Sequence, residues 1–208
     1  MSFDSIIFDM DGTLWDAVDS YCEVWNATIA DLGFDRQPVT RSELASLMGL
    51  PLTVIYDRLI GSGYDHEAFM ARLGVNEESM MPRLGGVLYP GVKETIARLA
   101  QSKRLFMVSN CQASGLPNFL TFTGLEPYFT DHLSYGQTGR EKDENICDLV
   151  ERYGLAKPLY VGDTQGDCRS THAAGLPFAW AMWGFGRDVE GADYELEHIT
   201  DLVPLCEG

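Results

Sequence analysis

The chain's clearest pattern is an unbroken apolar run at Ser5-Ile6-Ile7-Phe8, closed by Asp9 and followed by Gly12. A run without alternation predicts a strand buried on both faces that ends in a turn. Three comparable runs follow at Arg104–Ser109, Pro158–Gly162 and Pro177–Met182. Between them, helix-like stretches cover 92–102, 114–122, 142–153 and 166–174. Strand alternating with helix predicts βαβ units and a parallel sheet.

One region breaks this rhythm. From about 16 to 87 there is no strand pattern, only amphipathic helical segments near 17–32, 41–48, 51–61, 65–73 and 76–83. Gly33, Pro38, Gly49, Pro51, Gly61, Gly63 and Gly74 punctuate them. Helix-rich sequence placed directly after a first strand predicts an insertion into an α/β domain. Gly85-Gly86 and Pro90-Gly91 mark the return. The expected fold is α/β: a Rossmann-like parallel-sheet core of residues 1–15 and 88–208, with an inserted all-helical domain at 16–87. With 208 residues the chain has room for one such domain and a modest insertion.

Open parallel sheets bind ligands outside the carboxyl ends of their strands, so polar residues there are where chemistry is expected. Asp9, Asp11, Gly12 and Thr13 follow the first run, and Ser109-Asn110 close the second. Asp163 and Asp167 follow the third, and Lys142 opens a helix. A single Asp in such a place is usually a turn or cap residue. Two at i and i+2 are harder to explain so, and parallel neighbouring strands would gather all four carboxylates at one edge. Without a neutralising group they raise one another's pKa at a cost of several kcal/mol. A hard cation such as Mg²⁺ removes that cost.

Net charge sharpens this. At −16 the surface repels nucleic acid, which needs basic groups to neutralise phosphates. It also repels small phosphate esters, so a phosphate site requires local positive charge, which a divalent cation supplies. Hydrophobic residues make up 45% and charged residues 22%, enough for a sizeable core. No run of about 18 apolar residues predicts a membrane span, and the first residues do not read as a signal peptide. Cysteines at 22, 111, 147, 168 and 206, without a C-x-x-C pair, read as reduced thiols of a cytoplasmic protein. Cys111 and Cys168 fall near the polar strand ends and are read as packing residues.

D-x-D-G-T at 9–13, Ser109 after an apolar strand, Lys142, and G-D-x-x-x-D at 162–167 resemble the four ordered motifs of the haloacid dehalogenase-like hydrolases. The helical insertion is similar to the cap of the phosphoglycolate phosphatase-like branch. Tyr160–Pro177 and Trp183–Gly186 look typical of that branch too. The resemblance implies a Mg²⁺-dependent phosphatase of small phosphomonoesters, acting through an aspartyl-phosphate. Asp9 would be the nucleophile and Asp11 the acid and base. Ser109 and Lys142 would hold the transferring phosphoryl group, with Gly12, Thr13 and Asn110 at the substrate. Asp9, Asp11 (through its carbonyl), Asp163 and Asp167 would hold the metal. The family often has Lys-Pro where this chain has Arg140-Glu141-Lys142-Asp143-Glu144-Asn145, which leaves Arg140 as the alternative cation.

Rival chemistries separate by single residues. Family dehalogenases lack the second Asp, so Asp11 speaks against them. Phosphonate hydrolases need a cap lysine, and 16–87 contains none, the first lysine being Lys93. A phosphosugar mutase keeps both Asp residues and stays open, as does a family member that binds a phosphometabolite without turnover. His66, His132, His172 and His198 are scattered and read as structural or exposed. Trp15, Trp25, Trp180 and Trp183 read as packing, with Trp15 placed for a hinge contact. Arg41 and Arg58 are candidates for a second anionic group on a substrate, and Met48-Gly49-Leu50-Pro51 resembles the family's cap loop.

Overall fold

The computed structural model describes residues 3–207; Met1, Ser2 and Gly208, which the expected core boundaries include, lie outside the described residues. The first apolar run is strand β1 (Ser5–Phe8), fully buried. The chain then forms β2 (Trp15–Asp16) and four helices: α1 (Val18–Asp31), α2 (Arg41–Ala45), α3 (Leu52–Leu59) and α4 (His66–Leu84). It returns through β3 (Val87–Leu88), then α5 (Val92–Leu99), β4 (Arg104–Ser109), α6 (Gly115–Thr123), β5 (Phe129–Ser134) and α7 (Tyr135–Thr138). The remainder is α8 (Lys142–Tyr153), β6 (Pro158–Gly162), α9 (Gln165–Ala173), β7 (Phe178–Ala181), β8 (Tyr194–Leu196) and α10 (Leu202–Glu207).

Six strands make one sheet in the order β5-β4-β1-β6-β7-β8, and every pairing in it is parallel. The four expected strands are its contiguous centre. Their side chains alternate between faces. Ile6, Phe8, Leu105, Met107, Leu159 and Val161 point to one side; Ile7, Phe106, Val108 and Tyr160 point to the other. Helices α5, α6 and α10 cover the first face, and α8 and α9 the second. Each fully buried aliphatic or aromatic side chain there contributes roughly 1.5–3 kcal/mol relative to exposure. This is a Rossmann-like α/β core carrying a mainly helical insertion.

The structure corrects the expected elements in three places. The segment 16–87 is not free of strand: Asp16 and Val87 are register partners in an antiparallel ribbon, β2 with β3, through which the insertion leaves and rejoins the core. The expected helices at 65–73 and 76–83 are one, because α4 runs straight through Gly74 and ends only at Gly85, φ +61°. A mid-helix glycine costs about 1 kcal/mol, which packing of Phe69, Leu73 and Met81 outweighs. Strands β5 and β8 extend the sheet beyond the expected four.

Candidate active site

Register sets the site. Phe8 lies beside Met107 and Val161, so β1, β4 and β6 end level and deliver Asp9, Ser109 and Asp163 to one edge. Carboxylate oxygens of Asp9, Asp163 and Asp167 all lie within 4.8 Å of one another, and all three residues are buried. Asp11 does not join them. Its Oδ1 accepts from Trp15 Nε1 at 2.9 Å and its Oδ2 from the Tyr21 hydroxyl at 3.3 Å, turning the carboxyl toward the insertion. The expected gathering of four carboxylates is thus a cluster of three, with the fourth set apart.

One cation serves the cluster. Lys142 Nζ donates to Asp9 Oδ1 at 3.0 Å and to Asp167 Oδ1. As first residue of α8, this lysine stands at the positive end of a helix, the unfavourable end for a cation. The two carboxylates explain its presence there. Burial works against its charge, but Asp167 and Asp9 outweigh that and raise its pKa well above the usual value. Arg140, the alternative cation, is exposed, while its carbonyl accepts from Asn145 at 3.1 Å.

Each carboxylate has its own scaffold. Asp167 is third residue of a capping box: its Oδ2 accepts from Thr164 N at 2.9 Å and Thr164 Oγ1 at 2.7 Å. Burial pushes its pKa up, yet Lys142 and the Thr164 bonds bring it below the ordinary value. Asp163 Oδ2 accepts from Phe185 N at 2.7 Å and Gly186 N at 3.3 Å, and Thr13 Oγ1 lies 3.5 Å from Oδ1. Its pKa is raised well above the usual value by burial and by the charges of Asp167 and Asp9. Gly12 presses against it at φ +81°, where an added Cβ would stand 2.3 Å from Asp163 Oδ2. Burial raises Asp9 to about 6, against the pull of Lys142. Burial and the Asp9 charge raise Asp11 to about 7.

Three buried carboxylates against one ammonium form an all-oxygen donor set with surplus negative charge, which fits a hard dication such as Mg²⁺. Beside it lies a cavity of about 100 Å³. Its floor includes Asp9, Asp11, Ser109, Asn110 and Lys142; the insertion supplies the roof. Gly12 and Thr13 stand beneath Asp163, and Thr13 serves that carboxylate. Met48, Gly49 and Leu50 line the roof, and a Cβ at Gly49 would meet Thr164 Cγ2 at 2.7 Å.

Several roof residues were not singled out in the sequence: Tyr21, which holds Asp11, and Glu77 and Met81 on α4. The apolar stripe Leu73-Glu77-Met81, interrupted by an acid at i+4, was the available signal. Cys111 also lines the cavity, whereas Cys168 is buried, its thiol 3.5 Å from the Glu190 carbonyl. Trp25 is buried and borders the cavity; Trp15 stacks edge-on against Phe119 at 5.0 Å where the insertion begins. Arg41 is held by Asp16 and Asp19, and Arg58 is exposed, so neither lines the cavity. His172 is partnered by Asp193 at 3.0 Å, away from the site.

The family model of the haloacid dehalogenase-like hydrolases matches residues 6–181. A phosphoglycolate phosphatase of Synechococcus elongatus is 29% identical over 206 residues, covering 96% of this chain and 95% of its own. One from Aliivibrio fischeri is 28% identical, covering 94% and 91% respectively. A crystal structure described as a predicted phosphoglycolate phosphatase from Haemophilus somnus superposes with TM-score 0.86 at 23% identity, over 99% of this chain and 98% of that one, a likeness of fold. With its sheet edge, its carboxylate cluster and a family match running from β1 to β7, the chain belongs to the haloacid dehalogenase-like hydrolases, on the side of the phosphoglycolate phosphatases.

Proposed function

We infer that the protein is a phosphatase that hydrolyses small phosphomonoesters with Mg²⁺, through an aspartyl-phosphate on Asp9. The observation that carries this reading is the buried cluster Asp9, Asp163 and Asp167, built from two strand ends and a helix start around a single lysine. Asp163, Asp9, the Asp11 carbonyl and Asp167 would hold the dication. When bound, it supplies positive charge to the non-bridging phosphoryl oxygens.

The chain's own groups account for the rest. An ionised Asp9 oxygen attacks phosphorus while the bond to the ester oxygen breaks. Asp11, whose raised pKa keeps a proton available near neutrality, gives that proton to the departing alcohol. Water then enters, loses a proton to Asp11 and attacks phosphorus, breaking the Asp9–phosphoryl bond and releasing phosphate. Lys142 keeps Asp9 charged and orients it, and Ser109 and Asn110 border the space for the phosphoryl oxygens. Trp15 and Tyr21 aim Asp11 at the roof side, where the alcohol must lie. The helices of 16–87 act as the cap that excludes water, hinged at the β2–β3 ribbon. Five free cysteine thiols support a cytoplasmic setting.

Phosphate release from a panel of phosphomonoesters, with Mg²⁺ and with EDTA, tests the reading. Release that requires the metal is expected. No release from any ester, or interconversion of a sugar phosphate without free phosphate, would overturn it in favour of a binding protein or a mutase.

A further inference from the structure

The roof of the cavity makes a choice that the catalytic floor does not. Floor residues handle the phosphoryl group common to all phosphomonoesters; roof residues meet the alcohol that carries it. An alcohol bearing a carboxylate would need a cation there, and among the lining residues Lys142 is the only one, already committed to Asp9 and Asp167. None of the insertion's five arginines lines the cavity. Arg41 is bound to Asp16 and Asp19, and Arg72 to Asp31.

What the roof offers is an acid. Glu77, on α4, lines the cavity with 8% of its surface exposed, and among the described residues it has neither hydrogen-bond partner nor ion pair. Burial, and then the charge of Asp11, push its pKa to about 8. A largely buried carboxyl without a partner is costly. Trp25, Tyr21, Ile55 and Met81 line the same cavity. An acid and aromatic rings lining one pocket are the chemistry that binds an ammonium group. The cavity is small, about 100 Å³, which favours a phosphoryl group on a short chain over a bulky alcohol.

We propose that this cavity takes a short amino-alcohol phosphate, with Glu77 receiving the ammonium group while the phosphoryl group sits on the Asp9 floor. The proposal rests on the phosphatase reading above and narrows its substrate class. It also separates this chain from an ester such as phosphoglycolate, whose second anion would find no free cation among the lining residues.

Steady-state kinetics with Mg²⁺ on three matched series test it: ω-aminoalkyl phosphates of two to four carbons, n-alkyl phosphates of equal length, and phosphoglycolate. p-Nitrophenyl phosphate serves as the activated control. The best aminoalkyl ester should exceed its alkyl counterpart in kcat/KM by about 10-fold or more, as a charge-assisted hydrogen bond provides. Phosphoglycolate should fall below the alkyl ester. In Glu77→Gln the aminoalkyl-to-alkyl ratio should collapse toward one. A ratio within one variant cancels any general damage from the substitution, and the wild-type ratio decides alone if the variant does not fold. Hydrolysis of alkyl or glycolate esters without an amine preference, or an undiminished preference in Glu77→Gln, overturns the proposal and leaves the phosphatase intact. No release from any ester, the activated one included, removes both.

Discussion

Replacing Lys142 by Met tests the electrostatic reading most directly, because the chain then has three mutually close, buried carboxylates and no cation among them. In the wild type, Nζ sits 3.0 Å from Asp9 Oδ1 with both side chains nearly inaccessible to water. At an effective dielectric near 20, a charge pair at that separation is worth roughly 5 kcal/mol. Breaking such a pair by removing one partner costs about 3–5 kcal/mol when the other charge stays. Proton uptake limits the loss, and its sign fixes the pH dependence. Asp9 already stands at about 6 against 3.8 in an unfolded chain. A raised carboxyl contributes stability that is complete below its unfolded value and is lost as pH rises through its folded value. Asp167, held down by Lys142 in the wild type, joins the raised set once the lysine is gone. The variant should therefore trail the wild type by about 3 kcal/mol near pH 7.5 and by about 1 kcal/mol near pH 5. Urea unfolding in EDTA, followed by tryptophan fluorescence at both pH values, measures this. Equal stability near pH 7.5, or a gap that widens on acidification, would refute the account.

Other substitutions separate the remaining roles. Asp9→Asn should abolish phosphate release while far-UV circular dichroism stays unchanged; retained turnover in a clean preparation refutes the nucleophile assignment. Asp163→Asn should raise the Mg²⁺ concentration for half-maximal activity by at least about 10–100-fold, the loss known for groups that merely support metal ligands. An unchanged requirement would place the metal elsewhere. Tyr21→Phe removes a hydrogen bond that lowers the Asp11 pKa, so the Asp11-dependent alkaline limb of kcat should move to higher pH by up to about one unit. A limb that stays, or moves down, assigns it to another group.

The sheet centre was legible because β1, β4, β6 and β7 are apolar runs with almost no exposed residue, which only a doubly covered strand allows. Its flanks were not. β5 reads Phe-Thr-Asp-His-Leu-Ser, with an edge strand's polar residues, and β8 has three residues, too few for any period. The hinge ribbon is shorter still, two residues on each side, and its pairing depends on parts of the chain some seventy positions apart. In the site, Asp9, Asp163, Asp167 and Lys142 were legible because strand ends and helix starts place them whatever the loops do. The direction of the Asp11 carboxyl was not, for the opposite reason. Its direction is set by Trp15 and Tyr21, whose positions depend on how the insertion packs. Glu77 was visible as a break in an apolar stripe, but only the three-dimensional roof shows that it faces a cavity and not solvent.

The pairing of Asp16 with Val87 has a consequence for how such proteins diversify. Because the two ends of the excursion are neighbours, everything between them is, from the viewpoint of the sheet, a single closed loop. The entropic cost of such a loop grows only with the logarithm of its length, about 0.6 kcal/mol per doubling. Helices can be gained, trimmed or exchanged there without altering strand order or the spacing of the acids. The reaction and the choice of molecule that undergoes it can thus change at different tempos within one polypeptide.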